Sequence, residues 1–216
     1  MNKFELDDVI IEWLGHASFR ISNKESNRKI YIDPFRIDVE NASDANAILI
    51  THSHYDHFSP QDIEKIRTEK TRIYAPKDVS LKGNIHVVEP GLFFHINDHL
   101  KIETFPAYNI NKPFHPKEKK WVSYKLTFNN EITVFHTGDS DVIPEFLDLQ
   151  NLDVLMVPVS GTYVMTAEEA AHLCRKIRPK YAMPMHYGTI VGSRSDAERF
   201  KQLCDGVCKV IILDKA

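Results

Sequence analysis

Apolar and polar residues alternate in short runs along most of the chain, and turn residues separate these runs. A period of two is typical of β-strands that bury one face. The chain is therefore predicted to consist largely of strands joined by turns, and no internal repeat is visible in the sequence. The predicted strands span residues 9–13, 18–22, 30–32, 47–51, 73–75, 86–89, 93–96, 100–105, 122–128, 132–135, 154–159, 181–183 and 209–213.

Capping residues predict helices between some of these strands. Ser59 followed by Pro60 predicts a helix that ends near Glu69, because serine accepts hydrogen bonds from the first backbone amides and proline fits the first helical turn. Residues 106–120, which are rich in proline and lysine, are predicted to form a long irregular loop. Two later helices are predicted from capping boxes, formed by Thr166 with Glu169 and by Ser195 with Glu198.

Length and composition predict a soluble globular protein with a single domain spanning residues 1–216. The 216 residues are 43% hydrophobic, which is ample for a core. With 30 acidic and 27 basic side chains the net charge is −3, so no overall positive charge favours nucleic acid. The start of the sequence and the lack of a long apolar run predict neither secretion nor membrane insertion. Three cysteines, Cys174, Cys204 and Cys208, are expected to be reduced thiols in a cytoplasmic protein.

The most informative segment holds four potential metal ligands in the order H-x-H-x-D-H. His52 and His54 are two residues apart on an extended segment and can bind one ion, while Asp56 and His57 turn toward a second. Imidazole and carboxylate together suit zinc, iron or manganese better than calcium. A solvent-exposed, histidine-rich turn is the competing interpretation, and the number and order of the ligands disfavour it.

Three more polar residues stand where predicted strands end: Asp33, Asp139 and His186. Functional side chains gather at strand ends because a rigid sheet directs several loops toward one crevice. Taken singly, each has a structural explanation, since the two aspartates could cap a turn or a helix and the histidine could be hydrogen-bonded in a loop. Their order after the H-x-H-x-D-H segment favours a functional role.

The sequence resembles the metallo-β-lactamase superfamily, and within it the compact branch of L-ascorbate-6-phosphate lactonases and related metal-dependent hydrolases. The resemblance covers nearly the whole chain and implies an α/β fold, a four-layer αββα sandwich. It also implies that His52 and His54 hold one ion, that Asp56, His57 and His186 hold a second, that Asp139 bridges them, and that Asp33 orients a ligand from outside the metal shell. The segments that carry the resemblance are residues 14–19 (LGHASF), 32–35 (IDPF), 52–57 (HSHYDH), 106–109 (PAYN), 135–139 (FHTGD) and 184–188 (PMHYG).

One position departs from the pattern of that superfamily. Most members have a histidine between the first cluster and the bridging aspartate, whereas Tyr108 and Asn109 stand here. Asn109 could leave the first ion weakly held, select a harder ion such as manganese, or contact substrate. His115 is the nearest substitute, and a role as metal ligand and a role in substrate binding both remain open.

The predicted function is a metal-dependent hydrolase that uses a metal-bound hydroxide on a small lactone or phosphorylated metabolite. One or two divalent ions are expected, with zinc ahead of manganese or iron. Asp56 is the expected catalytic proton acceptor. Tyr163 and Tyr187 could donate to the charge that develops in the transition state, or serve as packing residues.

Other functions remain open at this point. A phosphodiesterase or nuclease of the same fold would need a local basic patch, for which Lys112, Lys117, Lys119 and Lys120 are candidates. A non-catalytic metal-binding module would fit a decayed first site. Oxygen reduction and glutathione-thioester hydrolysis fit less well. The expected partner is a small molecule rather than a nucleic acid or a membrane, and a homo-oligomer is left open.

Overall fold

The computed structural model describes residues 1–39, 42–83, 85–129 and 131–216. The chain divides into two compact units. Unit 1 comprises residues 1–88 and 213–216, and unit 2 comprises residues 89–212. No helix in the described part of the chain is long and apolar enough to cross a membrane.

Unit 1 contains a seven-stranded sheet in which each strand pairs with the next along the chain. The first four strands pair antiparallel, and the last four pair parallel from β4 onward. The strands are β1 (Lys3–Leu6), β2 (Val9–Gly15), β3 (Ser18–Asn23), β4 (Arg28–Ile32), β5 (Ala45–Leu49), β6 (Arg72–Ala75) and β7 (Ile85–Val87).

The helix of unit 1, α1 (Pro60–Ile66), follows the segment that carries the histidine cluster. Ser59 caps it and Pro60 is its first residue, as predicted, but it ends three residues before Glu69. Ile63 and Ile66, on one face of the helix, are buried in a core cluster with side chains of β4, β5 and β6. This packing fixes the helix, and hence the loop before it, to the sheet.

Residues 213–216 return to unit 1 and extend its contacts. The Asp214 amide donates to the Met1 carbonyl at 3.0 Å, and the Ala216 amide donates to the Trp13 carbonyl at 2.9 Å. The Lys215 side chain reaches Asp38 and lies against Gly15, whose φ is +105°. A side chain at position 15 would meet Lys215 in a backbone conformation that favours glycine.

Unit 2 repeats the pattern of unit 1, with antiparallel pairing over its first four strands and parallel pairing from the fourth onward. The repeat is one of strand order and direction, which explains why the sequence does not show it. The strands are β8 (Phe93–Asn97), β9 (Leu100–Pro106), β10 (Val122–Phe128), β11 (Ile132–His136), β12 (Val154–Pro158), β13 (Tyr181–Met185) and β14 (Lys209–Val210), and the helices are α2 (Pro144–Leu147), α3 (Ala167–Ile177) and α4 (Arg194–Leu203).

Most predicted elements are confirmed, and besides the earlier end of α1 the structure corrects several of them. The first strand, β1, was not predicted, because only four residues carry its alternation. The second capping box lies two residues earlier than predicted: Ser193 is the N-cap of α4 and its amide donates to Asp196 at 2.7 Å. The final strand is confined to Lys209–Val210. The loop after Pro106 is present and contains a single 3₁₀ turn at Lys117–Lys119.

Candidate functional site

The metal-ligand candidates of unit 1 follow the ends of β4 and β5, two parallel neighbours whose carboxyl ends lie at one edge of the sheet. The Asp33 amide donates to the Leu49 carbonyl at 3.0 Å, which joins the two strand ends. The His54 carbonyl accepts from the amides of His57 and Phe58 at 3.0 and 2.9 Å, so the chain turns back on itself. The turn brings the His57 ring to 4.1 Å from the His52 ring, measured between centroids.

The structure brings together all four residues of the H-x-H-x-D-H segment. The rings of His52 and His54 are 4.7 Å apart, in agreement with two side chains on one side of an extended segment. Asp56 Oδ2 lies 4.0 Å from Nε2 of His57. His52 and His57 are buried, while His54 and Asp56 keep partial exposure.

Asp33 is fully buried and fixes the orientation of both buried histidines. Its Oδ2 accepts from His57 Nδ1 at 2.7 Å and from the Thr51 hydroxyl at 2.6 Å, and its Oδ1 accepts from the Thr51 amide at 2.7 Å. Because the Thr51 hydroxyl gives its one proton to Asp33, its oxygen accepts from His52 Nδ1 at 2.9 Å. Both imidazoles therefore carry their proton on Nδ1, and Nε2 is left as the electron-pair donor.

His16 belongs to the same group of side chains and was not among the predicted site residues. It is fully buried, its Nε2 lies 3.0 Å from Asp56 Oδ2, and its ring centroid is 5.5 Å from that of His57. One nitrogen of His16, one oxygen of Asp56 and one nitrogen of His57 lie within 4.8 Å of one another. The sequence signal was a histidine directly after the glycine that ends a strand, which is too common to single it out.

The candidates of unit 2 also follow parallel strands, β11, β12 and β13. Asp139 and His186 are both buried, and Asp139 Oδ2 lies 3.2 Å from His186 Nε2. His186 Nδ1 is 3.3 Å from the Ser160 hydroxyl, which follows β12. The aspartate and the histidine, far apart in the sequence, are thus direct neighbours in the fold.

Asn109 and His115 form a pair beside Asp139. The amide oxygen of Asn109 lies 3.1 Å from His115 Nδ1 and accepts from the His115 backbone amide at 3.2 Å, while its nitrogen donates to the Asp139 carbonyl at 3.3 Å. The acceptor at Nδ1 places the imidazole proton there, as in His52 and His57. His115 Nε2 lies 3.5 Å from Asp139 Oδ2 and both side chains are buried.

Three residues of these groups adopt left-handed backbone conformations that non-glycine residues rarely adopt. The φ angles are +51° at His16, +45° at Asp33 and +61° at His186. Such conformations cost on the order of 1 kcal/mol each and concentrate at functional sites, where the surrounding structure enforces them. These three residues therefore lower the stability of the fold somewhat, and in return their side chains are held in fixed orientations.

The loop from residue 107 to residue 121 is held against the rest of unit 2 by contacts with two carboxylates, those of Asp141 and Glu145. Asp141 accepts from the Ile110 amide at 2.9 Å and pairs with Lys112 at 2.5 Å. Glu145 accepts from the Tyr108 hydroxyl at 2.9 Å and pairs with Lys117 at 3.0 Å. Burial and the nearby Glu145 carboxylate raise the pKa of Tyr108, so its hydroxyl stays a donor at neutral pH.

The two tyrosines considered as donors have different surroundings. Tyr187 is almost fully buried beside His186. Tyr163 is 40% exposed and packs edge-on against Phe114, which is equally exposed, with ring centroids 4.8 Å apart. Tyr163 and Phe114 thus form a small apolar surface on unit 2.

The donor chemistry fits divalent transition metals. Each unit presents histidine Nε2 atoms whose Nδ1 sides are held by a carboxylate, a hydroxyl or an amide oxygen, which is the arrangement that metal-binding histidines adopt. Carboxylates of Asp56 and Asp139 stand within 4.0 Å of such nitrogens. The mixture of nitrogen and oxygen donors suits zinc, manganese or iron, and gives no preference among them.

Comparison with known proteins identifies the family to which this chain belongs. The β-lactamase superfamily domain model matches residues 10–186, more than half of the chain. A UPF0173 metal-dependent hydrolase of Pyrococcus horikoshii is 30% identical over 229 residues, covering 95% of this chain and 96% of that protein.

Solved structures agree. A Parabacteroides distasonis protein assigned to the metal-dependent hydrolases superposes with a TM-score of 0.85 at 30% identity, over 98% of each chain. Igni18, a metallo hydrolase of Ignicoccus hospitalis, shares the fold with a TM-score of 0.79 at 21% identity, over 96% of each chain. These matches confirm the predicted α/β fold class. The chain therefore belongs to the β-lactamase superfamily, within the UPF0173 family of metal-dependent hydrolases.

Proposed function

We propose that this protein hydrolyses a small lactone or phosphorylated metabolite with the aid of one or two divalent metal ions. The observation that carries the proposal is the hydrogen-bonded group in which Asp33 and Thr51 fix the orientation of His52 and His57. A chain gains little stability by burying two histidines and a carboxylate in this way, whereas a metal site needs it.

The residues proposed to hold metal are His52, His54, Asp56, His57, Asp139 and His186. A bound ion would lower the pKa of a water molecule and polarise a carbonyl or phosphoryl oxygen. The protein supplies the orientation of the ligands and the proton transfers.

Asp56 is proposed as the catalytic proton acceptor. One of its oxygens, Oδ2, is held by His16 at 3.0 Å, and its side chain is only 15% exposed. A carboxylate restrained in this way can take a proton from attacking water and return it to the leaving group without reorienting. His16 is proposed as a positioning residue that keeps Asp56 in place.

His115 is proposed to take the role of the histidine that the sequence lacks at position 109. Asn109 accepts from the Nδ1 side of His115 and so leaves Nε2 directed toward Asp139. An amide oxygen is a poor ligand for zinc but a good acceptor for an imidazole N–H. This assignment makes Asn109 a residue that orients a ligand.

A small substrate is favoured over a nucleic acid by the state of the lysines in the loop after β9. Lys112, Lys117 and Lys120 are each paired with a carboxylate, of Asp141, Glu145 and Glu89 respectively. Lys119 lies over the Trp121 ring at 5.8 Å. Lysines whose charge is balanced within the protein release few counterions from a polyanion, so the loop offers little affinity for RNA.

The test is elemental analysis of the purified protein together with a hydrolysis screen over lactones and phosphorylated metabolites. His54→Ala should lose bound metal, and its activity should fall by at least about 100-fold, because loss of even an outer partner of a ligand costs about 10- to 100-fold. His95→Ala is the matched control, since His95 is an exposed histidine on β8. Full activity in His54→Ala would refute the proposal.

The screen also separates the alternatives. Metal that depends on His54, with no turnover of any compound in the screen, would favour a non-catalytic metal-binding module. Cleavage of phosphodiesters or RNA in preference to small monoesters and lactones would favour a phosphodiesterase or nuclease.

A further inference from the structure

The three cysteines of this chain, which were expected to be reduced thiols, converge at one place in unit 2. Cys174 lies in α3, Cys204 is the C-cap of α4, and Cys208 precedes β14. Their three sulfur atoms lie within 4.8 Å of one another. Cys174 and Cys204 are buried and Cys208 is half-buried, so the group has one side toward solvent.

A tight turn after α4 produces this convergence. The Cys204 carbonyl accepts from the Val207 amide at 2.9 Å and from the Cys208 amide at 3.3 Å, so the chain reverses within four residues. Gly206, with φ of +71°, supplies the left-handed residue that the reversal requires. The Arg175 guanidinium donates to the Leu203 carbonyl at 3.4 Å and joins α3 to the end of α4.

The distances between these three sulfur atoms match those of a metal site with thiolate ligands. Sulfur lies about 2.3 Å from zinc, so three sulfurs on one ion are separated by about 4 Å. Soft thiolate ligands select Cu⁺ and Zn²⁺ over hard ions.

A disulfide would account for only two of the three sulfurs. Metal binding uses all of them, and each bound thiol gives up its proton to solvent as the metal–sulfur bond forms. The half-buried Cys208 provides the route by which an ion would enter, and a fourth position on zinc would remain for solvent.

We propose that Cys174, Cys204 and Cys208 form a second metal site, a three-thiolate site for a soft ion of the Cu⁺ or Zn²⁺ class. It uses none of the histidines and aspartates discussed above, so it stands or fails independently of the proposed hydrolase activity.

The probe is Cd²⁺, titrated into protein kept reduced by a phosphine, with the ultraviolet charge-transfer absorbance of cadmium bound to thiolate as the readout. Before titration, three free thiols per chain are counted in an unfolded portion of the same sample, to establish that no ligand is oxidised. Wild type and His54→Ala should both show the band and reach the same final amplitude, that of one cadmium bound to three thiolates per chain. Cys208→Ser should bind with an affinity lower by at least about 100-fold, because a three-sulfur site would become a two-sulfur site.

A second measurement does not depend on any variant. Cadmium bound to the cluster should slow alkylation of Cys208 by iodoacetamide by at least about tenfold, because the free thiolate is the reacting form. The proposal is overturned if reduced wild type with three free thiols gives no thiolate band, or if Cys208→Ser gives the wild-type titration. It is also overturned if alkylation is equally fast with and without cadmium.

Discussion

At the scale of single residues, the recurring device is a histidine held at Nδ1 so that Nε2 points away as a donor. His57 uses a carboxylate, His52 a threonine hydroxyl and His115 an amide oxygen as the acceptor. The three acceptors differ in chemistry and in sequence context, but each fixes the same tautomer. The choice of acceptor tunes how basic the ligand nitrogen is, with carboxylate giving the strongest effect.

The role proposed for Asn109 can be tested with a double-mutant cycle on metal affinity. Asn109→Ala removes the acceptor of His115 and should weaken metal binding by about 10- to 100-fold, the cost typical of losing an outer partner. His115→Ala should weaken it further. The double variant should be no worse than His115→Ala, because Asn109 acts through that histidine.

The measurement for this cycle is competition with a chelator of known affinity. Asn111→Ala, an exposed asparagine in the same loop, is the matched control and should bind metal as wild type does. Strictly additive losses from the two single variants would show that Asn109 contributes independently of His115.

Sequence predicted the site unevenly, and the reason lies in what each residue depends on. The spacing of His52, His54 and His57 is local, so a short segment is enough to identify them. His16 could not be identified in this way, because its contact with Asp56 joins residues 40 positions apart. Asn109 and His115 are only six positions apart, but their pairing depends on how the loop between them folds. The same holds for the three cysteines, whose meeting requires α3 and α4 to pack together.

At the scale of elements, the start of a helix was predicted correctly where the apolar pattern and the capping residues indicate the same position. The capping box of α3 is present, with Thr166 and Glu169 exchanging hydrogen bonds at 2.8 and 3.1 Å. For α4, Ser195 and Glu198 have the right spacing, but Ser193 and Asp196 form the cap. Serines two positions apart compete for one role, and the fold of the preceding loop decides between them.

The N-terminus of α1 carries a pH-dependent contribution to stability. Burial raises the pKa of Asp62, but the hydrogen bonds from Lys65 and from the Arg36 amide outweigh burial and leave the pKa below its usual value. Because the pKa of Asp62 is lower in the folded state, its ionised carboxylate stabilises the folded protein at pH values above the unfolded-state pKa of about 3.9. This stabilisation is lost as the pH falls through the folded-state pKa.

Asp62→Asn should therefore be less stable than wild type at neutral pH, and the difference should shrink as the pH falls below the unfolded value of about 3.9 and vanish once the carboxyl group is protonated in both states. Urea unfolding over a series of pH values measures this difference. Glu64→Gln, on the exposed side of the same helix and paired with Arg67, is the control and should change stability little. A pH-independent loss in Asp62→Asn would point to packing in place of charge.

At the scale of the whole molecule, the two units share one strand arrangement: the first four strands pair antiparallel, and the strands from the fourth onward pair parallel. In each unit the candidate ligands follow the parallel strands, Asp33 and His52 in one and Asp139 and His186 in the other. The carboxyl ends of parallel strands lie at one edge of a sheet, so this arrangement brings the polar residues of the following loops together at that edge. The alternation of residues predicted the strands, but strand direction depends on connections that alternation does not encode.

Removal of residues 214–216 should destabilise unit 1. The deletion takes away the backbone hydrogen bonds to Met1 and Trp13 and should cost about 1–3 kcal/mol. Lys215→Ala, which keeps both backbone bonds, should cost less than about 1 kcal/mol because its pair with Asp38 is exposed.

Tryptophan fluorescence can follow this unfolding. The chain has 2 tryptophans, one in each unit, so a Trp121→Phe background leaves Trp13 as the reporter of unit 1. Equal stability of the deletion variant and its parent would show that these residues add nothing to unit 1.

The return of residues 213–216 to unit 1 has a consequence for biosynthesis. The ribosome makes residues 1–88 first, but it must translate all of unit 2 before it reaches the segment that contacts Met1 and Trp13. At about 5–20 residues per second, that interval is on the order of 10 s. We expect the nascent N-terminal sheet to lack these two hydrogen bonds throughout that interval, so it should be less stable on the ribosome than in the finished protein.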